Sequence, residues 1–228
     1  MLSLPMKPPV LSRLPLLAAA AALAALPLHA QSVHDFIGPT PASTGTNSFW
    51  TRAVNWADSV VPNDPQALIR IGTLAETGQD RANIPFSDYP SGLNVAAFMV
   101  LADLNTTVDT FAVRNYNNAA GVLKIHGYEM TINDTPVTLL AGVFGASQDF
   151  RFEPANGGMV IELNASGVFH NDGTGTFRSS SAIIDAPGGS YSITKTGPGI
   201  LRLDRRNETH GSTNSTYSGG FILQEGIV

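Results

Sequence analysis

The chain has 228 residues and a formal net charge of −5, and only 14% of its residues are charged, against about 25% in ordinary globular domains. Hydrophobic residues reach 43%, so a core can form, and the acidic balance excludes a nucleic-acid surface spread over the whole chain. Cysteine is absent, which excludes disulfides, thiol nucleophiles, zinc–thiolate sites and iron–sulfur clusters.

Residues 1–30 read as a secretory signal. Lys7 and Arg13 supply a positive start, the stretch from Leu14 to Leu26 is apolar, and Leu28-His29-Ala30 offers a small-residue cleavage point before Gln31. The apolar run is shorter than the ~20 residues a membrane helix needs. Loss of Lys7 and Arg13 takes the net charge from −5 to −7. The expected location is therefore secreted or cell-surface, with no membrane span in the mature chain.

Residues 31–67 read as a linker followed by a tryptophan-containing N-terminal cap. Gly38-Pro39-Thr40-Pro41 is turn chemistry, and Trp50 and Trp56 are both tryptophans of the chain. The expected role of the pair is to close one end of a core, and the alternative is a stacking platform for a sugar.

From residue 68 onward short strands alternate with turns. Strands are predicted at 68–71, 97–101, 110–113, 122–126, 129–132, 137–140, 150–152, 159–163, 182–185, 191–194, 200–203 and 221–224. Period-two alternation marks them as half-buried, as in Met159, Ile161 and Leu163. Turns fall at Asn156-Gly157-Gly158, Asn171-Asp172-Gly173, Pro187-Gly188-Gly189 and Gly197-Pro198-Gly199. No stretch after the signal carries a helical apolar stripe. The fold class is all-β: a parallel β-helix or solenoid, with a β-sandwich or jelly roll as the alternative. Sparse hairpin signals favour the solenoid, with residues 68–191 as degenerate coils.

Residues 192–228 contain Lys195-Thr196-Gly197-Pro198-Gly199, a strand at Ile200 to Leu203, Asn214-Ser215-Thr216-Tyr217-Ser218-Gly219-Gly220, a strand from Phe221, and Gly226. This pattern resembles the autotransporter-associated β-strand repeat, with an insertion-like stretch at 204–213 and Pro198 as departures. Trp50, Asn55-Trp56 and Val61-Pro62-Asn63 resemble the opening of exported proteins that carry such repeats. The resemblance implies one coil of a parallel β-helix and a structural or adhesive passenger displayed outside the cell. Such an end, at 221–228, is expected to be an uncapped edge that meets further coils of a longer passenger or associates end to end.

Site chemistry is sparse. His34, His126, His170 and His210 lack metal-ligand spacing, so no metal and no cofactor are expected. Glu153, Glu162 and Asp185 are the carboxylates considered for polysaccharide hydrolysis, which is the enzymatic alternative to a non-catalytic passenger. A carbohydrate-binding module using Trp50 and Trp56 is the other. Asn171-Asp172-Gly173-Thr174-Gly175 lacks the acidic spacing of a calcium loop and reads as a turn. Asn-x-Ser/Thr triplets start at Asn105, Asn133, Asn164, Asn207 and Asn214. The expected partner is a surface or polysaccharide ligand, not nucleic acid.

Overall fold

A computed structural model describes residues 31–38, 49–72, 81–101, 110–116, 120–154, 158–204 and 215–228. The expected signal at 1–30, His210 and the triplets at Asn105, Asn207 and Asn214 lie outside these residues. In chain order the first strands are β1 (Ser32–Phe36), β2 (Ala67–Ile71), β3 (Arg81–Pro85), β4 (Leu93–Val95), β5 (Ala97–Leu101) and β6 (Thr110–Tyr116). There follow β7 (Gly121–Ile125), β8 (Tyr128–Ile132), β9 (Thr135–Phe144), β10 (Asp149–Glu153), β11 (Met159–Leu163) and β12 (Gly167–Asn171). The last are β13 (Thr176–Ser179), β14 (Ala182–Asp185), β15 (Ile193–Thr196), β16 (Ile200–Leu203) and β17 (Phe221–Leu223).

These strands form three sheets that the chain visits in rotation. The first runs β1-β2-β5-β9-β12-β15-β17, the second β3-β6-β10-β13-β16, and the third β4-β7-β11-β14. Pairing between successive turns of the chain is parallel throughout the three sheets. The protein is a three-sided parallel β-solenoid, and the sandwich alternative falls because its strands would pair antiparallel. One antiparallel exception exists among the strands: β8 folds against β9 through a two-residue turn at Asn133 and Asp134, with φ of 48° and 62°. This hairpin lays Tyr128, Met130 and Ile132 over Leu68, Ala97 and Leu139 on the outside of the first sheet, a small second apolar cluster.

Alternation builds the core. Side chains at every second position point inward and stack on their register partners in the next coil. In the second sheet Phe111, Phe150, Phe177 and Leu201 form one such column. In the third, Leu93, Leu123, Ile161 and Ile183 form another. All eight are buried, and phenylalanines from two sheets meet mid-core, with Phe98 and Phe152 edge-to-face at 5.2 Å.

Several elements depart from the sequence expectation. Ser32–Phe36, expected within a linker, is a strand paired along its length with β2. β3, β4, β12 and β13 were not expected as strands, and Asn171, expected in a turn, is the fully buried last residue of β12. Trp50 and Trp56 are both buried at the first coil: their rings meet edge-on at 4.7 Å, and their indole N–H groups donate to Pro62 O and Trp50 O.

Candidate functional site: the open end of the solenoid

The two ends of the stack differ. At the N-terminal end the tryptophans fill the core and Trp56 bridges back to Phe36. At the other end, β17 has β15 as its partner in the sheet and no strand on its far side among the described residues. Leu223 occupies the inward column beneath Phe169 and Lys195, yet it is 51% exposed. Ile222, Ile227 and Val228 are more exposed still. A flat edge strand with unpaired backbone groups and apolar side chains is a surface that recruits another strand.

The coil beneath this face is built on Lys195. Its register places it inward, in line with Phe98, Ala141 and Phe169, where a lysine is rare. The ammonium is satisfied because it donates to Thr196 O at 2.7 Å, Gly197 O at 2.6 Å and Glu225 O at 3.3 Å. Burial pushes its pKa below the usual lysine value, and the charge of Glu225 works the other way. Gly226, at φ +87°, passes so close that a Cβ there would meet Gly197 O at 2.5 Å and Lys195 Nζ at 2.8 Å. Lys195, Gly197 and Gly226 thus form one corner that ties the last coil to the one before it.

Asp185 fastens the opposite edge of the same coil. Its carboxylate accepts from Tyr191 N–H at 2.9 Å and from both the N–H and the hydroxyl of Ser218 at 2.7 Å. Burial works against its charge, but these bonds hold its pKa below the ordinary carboxylate value. Asp185 is therefore committed to holding coils together. Glu153 lies on the second sheet, whereas Glu162 lies on the third, registered against Lys124 and Ile184. The three carboxylates weighed for hydrolysis do not share one face.

At 0% and 1% exposure neither Trp50 nor Trp56 has a free face for stacking on a sugar. His126 Nε2 lies 3.0 Å from Asn94 Oδ1, while His170 stacks on Phe144 and holds Thr196 Oγ1 at 2.9 Å. Burial lowers the pKa of both. Among the described residues no three His, Asp or Glu side chains come together as a metal site. The Asn171–Gly175 corner is closed by protein: Asn171 Nδ2 donates to Gly175 O and Ile200 O, and Gly173 N–H donates to Asn171 Oδ1. Asn133 sits exposed at the hairpin tip, and Asn164 donates to Glu162 Oε1.

One constellation had no sequence signal. His34 Nδ1 lies 2.6 Å from Asp58 Oδ2, and its Nε2 lies 3.0 Å from Ser32 Oγ. This is the hydrogen-bond order of a Ser-His-Asp triad. The surroundings favour a structural role. His34 is 8% exposed with its ring edge-on to Trp56, and Ser32 N–H, a natural oxyanion donor, is taken by Gln66 O. The network pins the edge strand β1 onto the tryptophan cap. No family model matches the chain, and no curated protein or solved structure matches it either.

Proposed function

We propose that this chain is an exported, surface-displayed structural or adhesive passenger: a stack of coils that works as a scaffold and turns over no substrate. The observation that carries the reading is the contrast between the ends, one plugged by Trp50 and Trp56 and the other presenting Ile222 and Leu223 on the edge strand β17 with Ile227 and Val228 exposed after it. A face of that kind suits a further coil or a second copy, since each coil of a solenoid is stabilised by its neighbours. The resemblance of residues 192–228 to the autotransporter-associated repeat supports the same reading, and the Lys195–Gly197–Gly226 corner gives that pattern a physical reason.

The coding sequence beyond the Val228 codon and the association state of the purified chain test it together. Further Lys-Thr-Gly-x-Gly coils, or concentration-dependent association abolished by Leu223→Lys, support the passenger. A stop codon with a strictly monomeric chain overturns it, as does release of reducing ends from any member of a polysaccharide panel.

A further inference from the structure

The outer face of the second sheet carries a column of arginines that the chain order conceals. Register places Arg81 above Ala112, Ala112 above Arg151, Arg151 above Arg178, and Arg178 above Arg202. The partners of these strands point Phe150, Phe177 and Leu201 inward, so the four arginines share the outward side. Arg114 stands in the adjoining outward column, beside Asn83 and Glu153. Five strands at ~4.8 Å spacing extend this face over roughly 19 Å along the solenoid axis.

Like charges directly in register repel, so such a column needs counter-charge. The protein supplies part of it. Asp149 lies 3.0 Å from Arg151, and Asp204 accepts a fork from Arg178 at 2.7 and 2.6 Å and a further contact from Arg202 at 2.9 Å. Among the described residues, counting Glu153, three carboxylates face five arginines, which leaves this part of the face formally positive on a chain of net charge −5. Arg151 is 28% exposed and Arg178 18%, whereas Arg202, on the last strand of the sheet, is 63% exposed. At the other margin of the face, Tyr116 meets Phe49 edge-on at 4.7 Å, and the Arg52 guanidinium lies 5.7 Å from the Phe49 ring.

We infer that the outer face of the second sheet binds a carboxylated polysaccharide laid along the solenoid axis, its carboxylates meeting the outward arginines and Arg202 first, while Asp204 keeps the fork of Arg178. The residue type argues for carboxylate, because every cation on the face is an arginine, whose planar fork matches a carboxylate in two parallel hydrogen bonds. The aromatic margin argues for a sugar polymer, since Tyr116 and Phe49 lie at the edge of the charged face. Tyr116 and Phe49 add rings that can pack on the apolar face of a sugar. The proposal adds a ligand class to the adhesive reading and rests on it only for a biological setting. Its failure leaves the association of the open end, measured separately, untouched.

The test is calorimetric titration of the full chain with polygalacturonate, with dextran as the uncharged polymer and oligothymidylate as the phosphate polymer, at low and at physiological ionic strength. The expected result is binding of polygalacturonate that weakens with salt, no binding of dextran, and weaker binding of oligothymidylate. Arg151→Gln with Arg202→Gln is expected to weaken polygalacturonate about tenfold or more. Arg202→Gln alone, at an exposed edge position, is expected to weaken it severalfold with an unchanged circular dichroism spectrum. Lys124→Gln on the third sheet is expected to leave it unchanged. Equal binding of dextran, equal or tighter binding of oligothymidylate, or an equal loss in Lys124→Gln overturns the proposal.

Discussion

Replacing Lys195 with methionine tests whether an inward lysine holds the last coil. Methionine keeps the length and apolar stem of the side chain but removes the ammonium. Three carbonyls then lose a donor: Gly197 O, which is buried, and Thr196 O and Glu225 O, which are partly open to water. An acceptor left unsatisfied in the core costs about 1–3 kcal/mol, and partly hydrated ones cost less. Against this stands the relief of no longer burying a charge, which favours the variant by a comparable amount per ion when hydrogen bonds are poor. Here the bonds to Thr196 O and Gly197 O are short, so the loss wins, and the expected net destabilisation is about 1–3 kcal/mol. Urea unfolding reads it as a lower midpoint at unchanged slope. Limited proteolysis is expected to cut first within 215–228, because Glu225 loses its tether. A midpoint equal to or above that of the native chain would refute the reasoning.

Trp50→Ala opens the N-terminal plug and orphans Pro62 O, with an expected cost of about 3–5 kcal/mol seen as a lower urea midpoint. Stability also depends on pH in a stated direction. Burial lowers the pKa of His126 and His170 below their ordinary value of 6.5, so the unfolded chain binds more protons between that value and the lowered one. Their contribution is complete above pH 6.5 and is lost as the pH falls below it, and His126→Asn with His170→Gln is expected to flatten a series of urea melts across that range. A flat profile in the native chain would contradict this. Ser32 is expected to remain unlabelled by a fluorophosphonate, and labelling that Ser32→Ala removes would make the His34 network catalytic.

The legible strands were those whose inward positions are apolar and recur at every second residue. β5, β11, β14 and β16 stand at the predicted residues because Ile161 and Leu163, or Leu201 and Leu203, alternate with polar neighbours. Of the missed strands, β1, β12 and β13 put a polar residue inward and β4 has three residues, while β3, with Ala82 and Ile84 inward, ends on Pro85, which reads as a breaker. β12 ends on buried Asn171, β13 on buried Ser179, and β1 turns His34 inward at the end of the stack, where Trp56 covers it. The β8–β9 turn was hidden because it uses Asn133 and Asp134 at positive φ without a glycine. The arginine column was hidden for a different reason. Arg81, Arg151, Arg178 and Arg202 fall at unequal intervals, and their alignment follows from the lengths of the loops between coils.

Asn171 and Lys195, both aimed into the core, share one physical cause. Among the described residues, the chain turns from the first sheet to the second within 145–148, 172–175 and 197–199. A corner of three or four residues presses its carbonyls against the core, where water cannot reach them. Each of these corners meets that demand from within. Ala146 O accepts from Thr174 and Gly175 N–H groups of the following coil, Asn171 serves Gly175 O and Ile200 O, and Lys195 serves Thr196 O, Gly197 O and Glu225 O. The longer the reach to the next coil's carbonyls, the longer the donor required: an amide suffices at Asn171, and only a lysine spans to Glu225. A tight corner therefore selects the inward donor and the glycine that lets the next coil approach it, which is why Lys195, Gly197 and Gly226 occur together.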